Sequence, residues 1–390
     1  MIIELYGDWC PGLLDVEVRF KSDFALINIE GPILDPDLNL ELHRIFKVGP
    51  YFYSTTTPRF STTTVLSLAN NHIMDYGPKG VKKTLEKFSK ERTYFVGTDY
   101  SFHSADVVRV EIAGGKYISV IANAEHQYGY ATDSSEGYTA ISDQTLHLIK
   151  RARNTGDFVI VSSHGGDEKS LLPSFARRDL LRSYINAGAD VVWGHHAHVP
   201  QGWEFWKSGL ICYGLGNFAT DSSLISHDEL GKYSLSVSLN TEDILASKFF
   251  TTIQKFDSAG LIIDKKEISP TIASHYFNVI NKILISDKLL LEYQDMYARK
   301  IVKEFYSKIF PIFPISYWFW NFWFSSLSVI KNAGHNRYAE SITELKLHIR
   351  TCESHNAMYR YFKNRKKEIM RSNHSQMEAL HIELFSRSWN

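Results

Sequence analysis

The 390-residue chain carries 43 basic and 43 acidic side chains, 44% hydrophobic residues and three cysteines. This is the composition of a core-forming globular protein, and the balanced charge gives no field to attract nucleic acid or another acidic polymer. Cys10, Cys212 and Cys352 are too few and too far apart for a disulfide framework, which suits a reducing, cytoplasmic setting.

The opening MIIELYGDWC has no basic leader before a long apolar stretch, so it reads as a first β-strand with no signal peptide. Short apolar runs then alternate with helical patterns. Ile2–Tyr6, Phe24–Ile29, Thr64–Leu68, Tyr94–Val96, Val107–Ile112, Ile118–Ala122, Phe158–Ser162, Val191–Trp193 and Leu210–Tyr213 are predicted strands, rich in β-branched and aromatic residues. Lys79–Lys90, Asp143–Asn154 and Ser174–Ala187 are predicted helices, the last closed by Gly188. Tyr233–Leu239, Lys248–Phe256 and Gly260–Asp264 return to strand spacing, the last two joined through a tight DSAG turn. Strands alternating with helices predict an α/β layered fold over residues 1–268.

Residues 269–390 change character and predict a mainly helical C-terminal module, with helices at Asp287–Phe310, Ala339–Arg350 and Ser354–Arg371. Between them, residues 310–331 read FPIFPISYWFWNFWFSSLSVIK. Pro311 and Pro314 shorten the clean apolar run below the ~20 residues of a membrane span. A packed helix and a peripheral docking surface for a membrane or protein partner both fit.

Six apolar runs end in residues with metal-ligand chemistry: Asp8; Asn28 and Glu30; Asn70, Asn71, His72 and Asp75; His164; His195, His196 and His198; and Asn217. The C-terminal ends of strands in an open α/β sheet line one crevice, where these groups would meet. Carboxylates, amide oxygens and neutral imidazoles together suit divalent manganese, zinc or iron. One carboxylate can bridge two such ions ~3.5–4 Å apart. Each residue alone has a plainer reading, as a helix cap, a turn residue or a satisfied core histidine.

In chain order the motifs are Gly7-Asp8, Asn28-Ile29-Glu30-Gly31-Pro32, Ala69-Asn70-Asn71-His72 with Asp75, Gly77 and Gly80, His164-Gly165-Gly166-Asp167-Glu168, Gly188-Ala189-Asp190 with Gly194–Val199, and Tyr213-Gly214-Leu215-Gly216-Asn217-Phe218. This series resembles the calcineurin-like metallophosphoesterase superfamily and, within it, the CapA branch of bacterial capsule and poly-γ-glutamate synthesis. The resemblance implies an αββα four-layer sandwich and two divalent ions held by Asp8, Glu30, Asn71, His164, His196 and His198, with Glu30 bridging. It further implies His72 as general acid oriented by Asp75, and Glu168, His195, Asn217 and Asn70 facing substrate or supporting the ligands. The implied function is a metal-dependent phosphoesterase-like hydrolase acting on a capsule or exopolymer precursor. An accessory factor for polymer assembly and a binding module with a vestigial site are the alternatives.

Three departures stand out. Gly165 occupies a tryptophan position of the branch pattern and Gly214 a serine position, which predicts a roomier site. Cys10 stands where the wider superfamily has a metal-binding histidine, and reads either as a ligand or as a small buried thiol.

Overall fold

A computed structural model of the chain describes residues 1–18, 24–35, 52–58, 63–88, 92–98, 106–112, 114–221, 229–257, 260–268, 272–309 and 375–386. Among them the architecture is mixed α/β, with two sheets and six α-helices. The strands are β1 (Ile2–Cys10), β2 (Val16–Val18), β3 (Phe24–Ile29), β4 (Thr63–Ser67), β5 (Thr93–Val96), β6 (Val107–Ile112), β7 (Lys116–Ala124), β8 (Phe158–His164), β9 (Val191–His195), β10 (Gly202–Trp206), β11 (Gly209–Gly214), β12 (Asn217–Thr220), β13 (Tyr233–Asn240), β14 (Lys248–Asp257) and β15 (Gly260–Glu267). The helices are α1 (Gly77–Lys87), α2 (Asp143–Asn154), α3 (Phe175–Ala187), α4 (Ile272–Leu284), α5 (Asp287–Ile309) and α6 (Ser375–Ser386).

The larger sheet runs β2-β15-β14-β13-β1-β3-β4-β5, and β12 also pairs with β1. The smaller runs β10-β11-β9-β8-β7-β6. β1 is shared lengthwise: Ile2–Leu5 pairs antiparallel with β13, whereas Asp8–Cys10 pairs parallel with β12. Asp8 lies opposite Asn28 of β3 on one side and Asn217 of β12 on the other. In the smaller sheet His164 of β8 lies opposite His195 of β9. Both sheets therefore deliver polar residues at the same end.

Side-chain alternation in β8 explains how the layers meet. Ser162 points to the larger sheet and donates to Ser67 at 2.8 Å. Ser163 points the other way and donates to Asn123 at 2.8 Å, whose amide bonds Thr145 of α2 and Tyr184 of α3. Trp193, fully buried between the sheets, donates its indole N–H to Tyr6 O at 2.9 Å. Burying an indole of this size is worth roughly 4–6 kcal/mol by area, and the hydrogen bond removes the polar penalty.

Several elements differ from their predicted bounds. β1 continues four residues past Tyr6, because β12 arrives to pair its second half, so Asp8 sits inside the strand. Asn217 opens β12 rather than ending a strand, since the chain crosses from the smaller sheet to the larger between Gly214 and Asn217. α1 begins two residues before Lys79, with Pro78 in its first turn, a position where the missing N–H costs nothing. α3 matches closely: Ser174 caps it by accepting from Arg177 N, and Gly188 ends it with φ 117.

β2, β10, β12, α4 and α6 have no counterpart in the prediction. α4 lays Tyr276, Phe277, Ile280, Ile283 and Leu284 inward and packs on β10. Buried Arg178 of α3 pins the corner between α4 and α5, donating to the Leu284 carbonyl at 3.0 Å and to Asp287 at 2.6 Å. It thus satisfies a free carbonyl at one helix end and pairs with an acid in the first turn of the next. The aromatic segment 310–331 and the predicted helices Ala339–Arg350 and Ser354–Arg371 lie outside the described residues. No helix among the described residues is long and apolar enough to cross a membrane.

Candidate metal centre

The polar strand ends converge. Asp8, Glu30 and His164 form one buried group of three donors, and Glu30, His196 and His198 form a second, with donor atoms within 4.8 Å of one another in each. Either group could hold a metal ion. The two groups share Glu30, which lies just past β3 and is fully buried.

Local structure aims these side chains. His196 and His198 both adopt positive φ, at 89° and 57°. Such conformations cost ~1–3 kcal/mol each in an L-residue and persist only where surrounding packing imposes them. The turn after β9 sends both imidazoles inward with Ala197 between them. His198 Nδ1 lies 3.0 Å from Asn217 Oδ1 and 3.6 Å from Asp8 Oδ2, and its Nε2 lies 3.8 Å from Glu30 Oε1. His164 Nε2 lies 2.9 Å from Asn71 Oδ1 and 3.6 Å from Glu30 Oε1.

All twelve sequence-predicted site residues come to this region, in different settings. His195 Nδ1 sits 2.8 Å from Asp8 Oδ1, so His195 backs the carboxylate from below. Asn70 is fully buried and clamps the loop, donating to Ile29 O at 2.7 Å and accepting from His72 N at 3.2 Å. His72 Nδ1 lies 2.8 Å from Asp75 Oδ2, and its ring stacks on Phe52 at 3.7 Å between centroids. Asp75 also accepts from Phe52 N at 2.6 Å, which fixes both sides of the imidazole. Glu168 is the rim residue: its side chain is 51% exposed, and Oε1 lies 4.0 Å from His196 Nε2.

Sequence reasoning named Asn28 without giving it a role and missed Glu125 and Gln127. Asn28 is fully buried and donates to Asp8 Oδ1 at 2.9 Å and to Glu30 Oε2 at 3.2 Å, holding the two carboxylates together. The signal was available, since positions two apart on a strand share a face. Glu125 and Gln127 follow β7, another apolar run ending in polar residues. Gln127 Nε2 lies 3.5 Å from His196 Nε2.

The roomier site expected from Gly165 and Gly214 is absent. A Cβ on Gly165 would fall 2.7 Å from Glu125 Cδ and 2.8 Å from its Oε1, and Glu125 accepts from Gly166 N at 2.8 Å. One on Gly214 would lie 3.0–3.2 Å from the Gln201 amide. Glu125 and Gln201 therefore fill the space that the glycines release. Cys10 stands apart from both donor groups; it is fully buried, and its thiol points to Tyr53 O at 3.8 Å. Burial, with the nearby Glu30 charge, raises its pKa far above the ordinary thiol value.

The electrostatics keep the donors in ligand form. Burial lowers the pKa of His164 well below its ordinary value, with the neighbouring histidines adding, and burial brings His196 to about 3. For Asp8, burial alone would raise the pKa, but the His195 hydrogen bond and the His195 and His198 imidazoles hold it below the usual carboxylate value. Asp8 Oδ2, His164 Nδ1, His195 Nε2 and His196 Nδ1 are buried with no hydrogen-bond partner among the described residues. Orphaned donors and acceptors of this kind, concentrated around shared carboxylates, fit divalent cations.

The same shifts set an acid limit on stability. Above pH 6.5, His164 and His196 are neutral in both folded and unfolded chains and contribute no pH dependence. Below it, the unfolded chain takes up protons that the folded one refuses, so stability falls from pH 6.5 toward about 3. Each histidine contributes up to ~1.4 kcal/mol per pH unit in that window. Urea titrations of metal-free protein should therefore show the midpoint dropping steeply between pH 6 and 4.5; a flat profile would contradict this burial.

Comparison with known proteins adds the family. The profile described as "Bacterial capsule synthesis protein PGA_cap" matches residues 16–222, more than half of the chain. The chain belongs to this family. All the site residues except Asp8 lie within the matched PGA_cap region. The chain is 30% identical over 210 residues to "Capsule biosynthesis protein CapA" of Bacillus anthracis, covering 52% of this chain and 51% of that one. To "PGA biosynthesis protein CapA" of Bacillus subtilis it is 30% identical over 226 residues, covering 53% and 56%. A probable polyglutamine synthesis accessory protein of Mycobacterium tuberculosis is 23% identical over 171 residues, covering 40% and 45%. The chain thus spans about half the length of the CapA relatives it matches, and those matches support its place in the CapA branch of capsule and poly-γ-glutamate biosynthesis.

Proposed function

We propose that this PGA_cap protein is a metal-dependent hydrolase of the phosphoesterase type, acting on a capsule or exopolymer precursor, in which Glu30 would serve as a ligand residue to both of two divalent ions. The observation behind this reading is that Glu30 belongs to both buried donor groups. In this reading the two sheets and their helices have the αββα layering of metallophosphoesterases, and residues 310–331 contact a membrane surface or protein partner. Asp8, Asn71, His164, His196 and His198 complete the ligand set. The ions, manganese, zinc or iron by this mixed donor set, would supply Lewis acidity and a nucleophile derived from water.

The chain's own residues do the rest. His195 and Asn28 hold the Asp8 carboxylate, and Asn28 also holds Glu30. Asn217 turns His198, and Asn70 locks the loop that presents Asn71 and His72. With both ring nitrogens protonated, His72 would donate its Nδ1–H hydrogen bond to Asp75 and deliver its Nε2 proton to the departing oxygen. Glu168, at the exposed rim, orients the substrate.

Hydrolysis of bis-p-nitrophenyl phosphate by manganese-loaded protein tests the reading. His72→Asn should lower kcat by ~10²–10⁴-fold, the usual contribution of a general acid, on a diester with an alkyl leaving group, and far less on the nitrophenyl ester, whose leaving group needs no proton, while manganese affinity stays within twofold. Metal-replete protein inert on mono- and diesters would shift the assignment to polymer-assembly accessory factor, the role that the name of the mycobacterial relative carries.

A further inference from the structure

The helices beyond the PGA_cap match reach back to the loops of the metal centre. Tyr297 of α5 donates its hydroxyl to the Glu168 carbonyl at 2.8 Å. One helical turn earlier, Tyr293 accepts from Leu171 N at 2.9 Å and lies 3.4 Å from Ser170 Oγ and 3.3 Å from His381 Nδ1 of α6. Tyr276 of α4 donates to Pro200 O at 2.6 Å, two residues after His198. The three phenols are 1–4% exposed. A buried phenol needs a partner for its hydroxyl, and here the partners are backbone groups of loops rather than of the helices themselves.

The two loops are also joined to each other. Lys169 N donates to the carbonyl of Ala197, the residue between His196 and His198, at 2.8 Å. Gln201 Nε2 donates to Ser170 O at 2.9 Å. Segment 166–172 is therefore held on one side by the histidine turn and on the other by tyrosines more than 120 residues away. Of the proposed ligand residues, Asp8 and His164 lie inside β1 and β8 and are fixed by sheet pairing, whereas His196 and His198 lie on the turn that segment 166–172 bonds. Glu168 has no strand beneath it.

We propose that Tyr293 and Tyr297, assisted by Tyr276, are positioning residues that set the Glu168 loop beside His196 and so fix the substrate side of the centre, while sheet pairing holds Asp8 and His164. This assignment rests on the hydrolase reading for its kinetic consequence and on geometry alone for its structural one.

The test uses full-length, manganese-loaded protein with Tyr297→Phe, Tyr293→Phe and Tyr276→Phe, each of which keeps the ring and removes the hydroxyl. Amide hydrogen exchange in residues 166–172 should rise at least tenfold in the first two variants, while exchange in β1 and β8 stays as in the wild type. Manganese affinity by calorimetry should stay within twofold. For Tyr297→Phe, KM for bis-p-nitrophenyl phosphate should rise about three- to tenfold with kcat within twofold. Unchanged exchange at 166–172 overturns the proposal, as does a loss of manganese affinity together with faster exchange across both sheets. If the wild type turns over no phosphoester, the hydrolase reading fails, and the exchange result still decides the positioning role.

Discussion

On the two-ion reading proposed above, Glu30→Gln should abolish the stabilisation expected from manganese while leaving the metal-free form at least as stable as the wild type. Among the described residues, Glu30 alone belongs to both donor groups, so one substitution weakens two ion sites. Without cations, Glu30 and Asp8 are two buried carboxylates tethered to a single Asn28 amide. Burying such charges without a counter-ion costs several kcal/mol, and like charges this close repel. Glutamine has nearly the same shape and removes one of them. In the wild type, a metal at ~100 times its Kd adds about 2.7 kcal/mol per site. Thermal melts with and without manganese should therefore cross: the variant starts level or higher and gains nothing. A variant that keeps both the manganese shift and its bound metal would refute the bridging role.

The second large effect is expected at Gly7→Ala, one residue before Asp8. A Cβ there would overlap the carbonyl oxygen of Gly216, and it would lie 3.0 Å from the Gly216 carbonyl carbon and 3.4 Å from that of Leu215. All of these are backbone atoms, so no rotamer change relieves the clash. The same Gly216 oxygen accepts the Asp8 N–H at 3.0 Å, and the next residue is Asn217, which faces His198. Pushing Gly216 away therefore breaks the β1–β12 join and moves Asn217. The cost should be about 3–5 kcal/mol, at the upper end of single-residue effects. Gly115→Ala is the control: a Cβ there meets nothing within 4 Å, and only its φ of 71° opposes alanine, for about 1 kcal/mol. Urea denaturation midpoints separate the two, and a Gly7→Ala variant no weaker than the control would contradict the packing described here.

Most of the parallel strands were legible because buried runs such as Ala25-Leu26-Ile27 and Val159-Ile160-Val161 are apolar on both faces and bounded by polar residues. The site residues were legible because ligand chemistry sits at the ends of those runs. What periodicity could not supply was pairing across long separations. β12 is four residues long and is a strand only because β1 is beside it. α4 went unseen because its apolar face is defined by β10, itself too short to recognise. The glycine departures misled for the same reason: a motif reveals which atoms are missing at Gly165, but not that Glu125, forty residues earlier, moves into their place.

The position of β1 has a consequence for biosynthesis. Ile2 pairs with Asn240 and Leu5 with Val237, so β1 waits for a strand made more than 200 residues later. At ribosomal rates of ~5–20 residues per second, that delay is roughly 10–50 s. Until then β1, apolar but for Glu4 and Asp8, has β3 for a neighbour on one side and open backbone on the other, the configuration that recruits foreign strands. Nascent chains of this protein should depend on holding chaperones until the ribosome has passed the β13 codons, and slowing translation before that point should favour aggregates over folded protein.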